Sequence, residues 1–162
     1  MPEYWLALPG GLGEHGCRSD PARPKEFVMP TELPACCPYL FYEDLPRAID
    51  FLKQAFALEE RRVERNDQGN VEHAQLGLGA ALVMLGATGS WPGYRSRKSP
   101  EALGGLNAGV YLFVDDVDSH AARARAAGAK VQMEPADMPW GDRLYCAEDV
   151  EGQFWMFATR SR

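Results

Sequence analysis

Tyr39-Leu40-Phe41 comes back as Tyr111-Leu112-Phe113, 72 positions later, and the same offset carries Asp44 onto Asp116 and Met84 onto Met156. A repeat that keeps its register at both ends constrains the fold more than any single motif, because both copies obey the same local rules and bury the same faces. The first copy reads as a strand (Pro38 to Tyr42), an Asp44 helix cap, and a helix with Ile49, Leu52 and Phe56 on one face. Arg and Glu then alternate around Val63, DQGN makes a hairpin turn, and VEHAQLGLG and AALVMLGA follow as strands. In the second copy Asp116 caps a helix that presents Ala121 and Ala124, Gly128 stops it, and a tight turn from Asp149 to Gly152 leads into the strand Phe154 to Ala158. The expected class is α+β, with paired βαβββ modules at residues 36–86 and 109–160 that together make one domain.

The rest of the chain is punctuated differently. Six of the twelve prolines fall in residues 1–35, with four glycines, so this stretch reads as an N-terminal arm in which only Tyr4 to Leu8 is apolar enough to dock. Met29 is the expected natural start, with an upstream extension before it. Residues 87–108 read as a Gly/Ser/Pro-rich linker whose Trp91, Tyr94 and Arg95 could overhang a cavity.

Composition removes several classes of function. The formal net charge of −6 repels a phosphate backbone, and there is no basic stripe, so nucleic acid is not an expected partner. Cys17, Cys36, Cys37 and Cys146 have neither CxxC nor ribbon spacing and read as reduced thiols. No apolar run reaches the roughly 20 residues of a membrane helix, and no signal peptide is visible, so the expectation is a cytoplasmic protein without a membrane partner.

With EHAQLGLGAALVMLG closing the first copy and WGDRLYCAEDVEGQFWMF closing the second, the chain resembles the vicinal oxygen chelate superfamily over residues 36–160. That group contains glyoxalase I, extradiol dioxygenases, fosfomycin-resistance enzymes and bleomycin-resistance proteins. The resemblance implies curled mixed sheets around a cavity, enclosed by two modules and often by two subunits; it speaks for fold more than for function, because unlike chemistries share the scaffold. Family enzymes carry metal ligands on the first and last strand of each module. Here those places correspond to Cys37, Met84, Gly109 and Met156, where an ion that activates water would need imidazole or carboxylate. The implication is no metal at the former places and no cofactor. A soft-metal site of Cys37, Met84 and Met156, for example for Cu(I), is the alternative to methionines acting as adaptable filling.

Alternation along strands puts Cys37, Tyr39, Phe41, Leu82 and Met84 on one face of the first sheet, and Tyr111, Phe113, Phe154 and Met156 on one face of the second. Leu40, Val83, Leu85, Val110, Leu112, Val114, Trp155 and Phe157 belong to the opposite faces, under the helices. The first set suits a pocket for a flat, partly apolar molecule, with Gly109 leaving space; a closed core made of the same residues is the other reading. Arg143 is a candidate to grip a ligand carboxylate or phosphate, or else a solvated partner of Asp142, and Trp140 is a candidate lid. His73 is a weak candidate general base whose orientation the repeat leaves open, and His120 reads as solvated. Arg61, Arg62 and Arg65, among Glu59, Glu60 and Glu64, read as a solvated, self-paired face. The pair His15 and Cys17 is no metal site by itself.

The reading is a metal-independent small-molecule binding protein of the glyoxalase/bleomycin-resistance type, a homodimer that sequesters an aromatic or amphipathic compound. The competing class is an enzyme, a lyase, isomerase or dioxygenase, using a non-standard metal site or acid–base work by His73, Tyr39 or Tyr111. A third reading is a role in assembly with both sheet faces as plain core.

Overall fold

The computed structural model describes Pro34 and residues 36–160. The expectations for the arm, for Met29 as a start and for His15 with Cys17 lie outside the described residues. In chain order the elements are β1 (Tyr39–Tyr42), α1 (Leu45–Phe56), β2 (Glu59–Arg65), β3 (Val71–Leu78) and β4 (Ala81–Ala87). After a connection that carries a 3-10 turn (Pro92–Tyr94) and α2 (Pro100–Leu103) come β5 (Val110–Phe113), α3 (Val117–Ala126), β6 (Lys130–Asp137), β7 (Asp142–Glu148) and β8 (Phe154–Arg160). They form two four-stranded mixed sheets, β1-β4-β3-β2 and β5-β8-β7-β6, and the class is α+β. The connection, expected as plain linker, is therefore partly helical: Ser99 accepts from the Ala102 amide and Pro100 sits in the first turn, where its missing N–H costs nothing.

The 72-residue offset survives as strand register. Tyr39 lies opposite Met84 in the parallel pair β1–β4, and Tyr111 lies opposite Met156 in β5–β8. Between those ends the copies slip by one: β2 and β6 begin at Glu59 and Lys130, β3 and β7 at Val71 and Asp142, each pair 71 apart. The second copy loses a residue where its helix ends and regains it in the turn from Asp149 to Gln153, which is wider than the Gly79-Ala80 turn of the first. Two compensating changes of this kind leave both module ends aligned and so are hidden from an alignment made at the ends.

The helix stops differ in chemistry. Gly128 follows α3 at φ +92°, whereas Ala57, 71 positions earlier, follows α1 at φ +56° and is the one non-glycine residue at positive φ among those described. A Cβ in the left-handed region is strained, and glycine is the usual residue there. Ala57→Gly is expected to raise stability by about 0.5–1 kcal/mol, read as a higher midpoint in urea melts with an unchanged slope.

The helices cover one face of each sheet and bring the two halves together. Asp44 and Asp116 accept from the amides of Arg47 and Ser119 at 3.1 and 3.0 Å, which starts α1 and α3 as expected. Val83, Leu85, Trp155 and Phe157 are buried beneath them. The Phe56 ring at the end of α1 reaches across to the second sheet, with centroids 4.8 Å from Phe157 and 5.5 Å from Trp155. Large side chains buried this completely each stabilise by about 2 kcal/mol.

His120, expected in solvent, is instead buried in this junction. Its Nε2 is 3.0 Å from the Phe56 carbonyl, which can only accept, so the ring carries its proton there and Nδ1 accepts from the Tyr145 hydroxyl at 2.8 Å. The burial comes from contacts with Phe56 and Tyr145, 64 and 25 positions away, which a place four residues after a cap does not reveal. Nearby, Arg123 donates to the Gln54 and Lys53 carbonyls at 2.8 and 3.0 Å and closes the otherwise open end of α1.

The turn from Asp149 to Gln153 ties the halves a second time. Glu151 takes the Glu43 and Asp44 amides at 2.7 and 2.8 Å, and the Gln153 amide donates to the Phe41 carbonyl at 3.1 Å. Among the described residues no helix is long and apolar enough to cross a membrane.

Candidate functional site

Each sheet has a second face, turned from the helices, and the registers allow it to be read row by row. Across the first sheet one row runs Tyr39, Met84, Gln75, Arg62 and the next Phe41, Gly86, His73, Glu64. Across the second sheet the corresponding rows are Tyr111, Met156, Cys146, Met133 and Phe113, Ala158, Leu144, Ala136. The two open faces share their aromatic and thioether columns. They differ in the outer columns, polar in the first sheet and apolar in the second.

The first open face holds a hydrogen-bond chain. Tyr94, from the connection after β4, donates to the Tyr39 hydroxyl at 3.2 Å, Tyr39 meets His73 Nδ1 at 2.8 Å, and His73 Nε2 lies 3.5 Å from the Gln75 amide. The rings of Tyr39, Phe41 and Tyr94 lie within 5.6 Å of one another. Gly86 makes this possible: a Cβ there would come 2.8 Å from the Tyr39 ring. Burial pushes the His73 imidazole below its ordinary value and pushes the Tyr39 phenol well up, helped by the Tyr94 bond, so both are neutral near pH 7. Arg62 and Glu64 pair at 2.8 Å beside them. His73 is thus brought to the open face, which the repeat left undecided.

On the second open face Tyr111 and Phe113 are 36% and 49% exposed, and Trp140 is 63% exposed. Asp142 holds their rim: one carboxylate oxygen takes the Tyr111 hydroxyl at 2.7 Å and the Trp140 indole N–H at 3.2 Å. The Arg160 guanidinium lies 4.6 Å over the Phe113 ring. Below this, a cavity of about 870 Å³ opens against Phe154, Met156 and Gly109, walled by Leu106 of the connection and by Lys130 and Glu148, themselves paired at 2.9 Å. Its volume is in the range of small-molecule sites.

Several expected roles meet a different geometry. Arg143 lies on the helix side of β7, with two nitrogens on Asp118 at 2.8 Å and a third on Asp137 at 3.1 Å. It is a surface element rather than a ligand grip, because strand alternation sends it away from Leu144 and Cys146. Gly109 lines the cavity, and its missing side chain gives room to Phe154 and Met156: a Cβ would meet Phe154 Cδ1 at 2.8 Å and Met156 Cε at 3.1 Å. Of the connection's three expected overhanging residues, Tyr94 covers the first sheet, while Trp91 and Arg95 stand exposed. The Arg and Glu run of β2 is only partly solvated, since Arg62 and Glu64 share the open face with Gln75 and His73. Val63 supplied the signal for this, because its helix-side packing fixes the parity of both neighbours. The bulge at Arg61 carried no such signal.

A divalent ion does not fit the four places where chelating relatives hold one. Met84 and Met156 are thioethers, Gly109 has no side chain, and the Cys37 thiol donates to the Pro34 carbonyl at 3.6 Å. Among the described residues no three His, Cys, Asp or Glu side chains are grouped to hold an ion.

The family model for the Glyoxalase/Bleomycin resistance protein/Dioxygenase superfamily matches residues 33–157. This chain belongs to that superfamily. Among solved structures it is similar to TioX from Micromonospora sp. ML1, at 34% identity and a TM-score of 0.61, covering 75% of this chain and 94% of TioX. The fosfomycin resistance protein FosX from Listeria monocytogenes shares the fold at 14% identity and a TM-score of 0.57, covering 82% of this chain and 96% of FosX. A shorter likeness, 49% identity over 43 residues, links the chain to CFP32 of Mycobacterium bovis, provisionally named a glyoxylase. That match covers 26% of this chain and 16% of CFP32. As a superfamily member the chain shares a scaffold whose open sheet faces serve unlike chemistries, so its own function has to be argued from the side chains on those faces.

Proposed function

We propose that this superfamily member binds an aromatic or amphipathic small molecule on its open sheet faces without a metal ion, and that two copies pair to complete the sites. The observation that carries the reading is the cavity of about 870 Å³ against Phe154 and Met156, continuous in register with the half-exposed rings of Tyr111 and Phe113. Rings give large contact area at low entropic cost, and thioethers adapt to the ligand's outline. Pairing of two copies is supported by the exposure of Phe113 and Trp140 on one face, a patch that a second chain would remove from water. A site in the cytoplasm accords with the cysteines, of which Cys36, Cys37 and Cys146 are free.

The test is a panel of naphthyl and indolyl compounds scanned by melting temperature. A ligand at about one hundred times its Kd raises Tm by roughly 5 °C, and Met156→Ala or Phe113→Ala is expected to remove most of that rise. A flat panel would move the weight to an assembly role. Acid–base catalysis has one specific observation in its favour, the contact of Tyr39 with His73 at 2.8 Å. Against it, burial lowers the imidazole and raises the phenol, which weakens His73 as a base and Tyr39 as an acid.

A further inference from the structure

The donors on the first open face can be counted from the tautomer the contacts impose: the Gln75 amide nitrogen can only donate, so His73 Nε2 accepts from it and Nδ1 carries the proton and donates to the Tyr39 hydroxyl. Tyr94 and Tyr39 bring one O–H each, neutral His73 one N–H, and the Gln75 amide two N–H bonds, five in all. The chain from Tyr94 to Tyr39 to His73 to Gln75 has three links and consumes three. Two donors remain, one N–H of Gln75 and the O–H of Tyr39. Gln75 is only 5% exposed, so its spare N–H meets little water, and an unmet donor there is costly.

The charges beside these donors cancel. Arg62 and Glu64 are paired at 2.8 Å in the outer column, adjacent in register to Gln75 and His73, and His73 is uncharged. An anionic ligand group placed over Gln75 would give up its hydration without meeting a net positive charge, and the Glu64 carboxylate stands next to it. A neutral carbonyl loses far less hydration and takes the same two hydrogen bonds. The ring that carries the carbonyl has its stacking partners two columns away, across Met84 and Gly86, in Tyr39 and Phe41, with Tyr94 over them.

We infer that the Tyr39–His73–Gln75 chain of the first sheet is a polar subsite for the uncharged carbonyl of an aromatic amide or ketone, selecting it over an aromatic carboxylate. This rests on the binding role proposed above and specifies its ligand class. The second sheet offers no such group in the matching positions, where Cys146 and Leu144 replace Gln75 and His73, so the selection belongs to the first face alone.

Calorimetric titration of the full chain with 2-naphthamide, 2-naphthoate and 2-methylnaphthalene at pH 7.5 tests this. The amide is expected to bind at least about tenfold more tightly than the carboxylate. Gln75→Leu is expected to abolish that preference while leaving the methylnaphthalene affinity within about twofold. Tyr39→Phe, which keeps the ring and removes the hydroxyl, is the second variant should the leucine at 75 impair folding, and it is expected to reduce the preference in the same direction. Equal or tighter binding of the carboxylate, or a preference that survives in a folded variant, overturns the subsite and leaves the binding role standing. If none of the three compounds binds, the binding role falls, and the subsite with it.

Discussion

Asp149→Ala is expected to cost about 3–5 kcal/mol of stability, the largest loss among the substitutions considered. One carboxylate there collects four donors. Oδ2 takes the Tyr42 hydroxyl at 2.7 Å and the Trp155 indole N–H at 3.0 Å, and Oδ1 takes the Glu151 and Gln153 amides at 3.0 Å each. Tyr42 and Trp155 are fully buried, so alanine leaves both of their donors without an acceptor and without water. The backbone of the turn loses its anchor at the same moment, and with it the placement of Glu151 on the Glu43 and Asp44 amides. The first and second sheets are thus uncoupled at one point. Asp149→Asn keeps an oxygen for part of the set but turns an N–H toward the indole, and about half of the loss is expected. A denaturant cycle with Tyr42→Phe checks the mechanism: if the hydroxyl is a stranded donor in the alanine variant, the double variant should be about 1 kcal/mol less destabilised than the two single changes added together.

His120→Leu is expected to cost about 2–3 kcal/mol and to flatten the acid side of the stability profile. The ring links Tyr145 to the Phe56 carbonyl and packs 4.4 Å from Phe157, so leucine fills part of the volume while leaving a hydroxyl and a carbonyl unpaired. Burial lowers the His120 imidazole below its ordinary value; the Phe56 bond works against that shift and Arg123 works with it. The unfolded chain therefore takes up a proton at His120 that the folded chain refuses. Stability is fully present above the ordinary histidine value, about 6.5, and is lost as pH falls from there to the lowered folded value. The slope is at most about 1.4 kcal/mol per pH unit for each such group. His73 is shifted in the same direction and adds to the slope, so the leucine variant should retain part of it. Urea melts between pH 7.5 and 5 read both quantities, and an undiminished slope in the variant would assign the acid loss elsewhere.

The repeat made the class legible because local rules were enough for it. Two capped helices, alternating strands and a common offset need nothing from distant residues, and the alternation in β1, β4, β5 and β8 separated Trp155 and Phe157 from Met156 by parity alone. The open face was legible only in those four strands, whose register the repeat itself supplied. In β2 and β3 the pairing depends on a bulge at Arg61, and in β7 on a compensating slip of one residue, so the sequence shows Arg62 and Glu64 only as part of a self-paired run and leaves the faces of Gln75 and Arg143 unassigned. A one-residue change reverses every side chain of a strand, and strand spacing carries no local mark of it.

The sequence by itself determined the α+β class, the two caps and the thioethers at Met84 and Met156, because each follows from residue type and spacing along the chain. Only the tertiary structure decided that His120 bridges the halves, that Asp149 gathers four donors and that His73 joins Tyr39. The bonds of His120 to Tyr145, Tyr39 to His73 and Asp149 to Tyr42 join residues 25, 34 and 107 positions apart, and contacts at that separation are set by how the sheets and helices dock, which no short window of sequence contains.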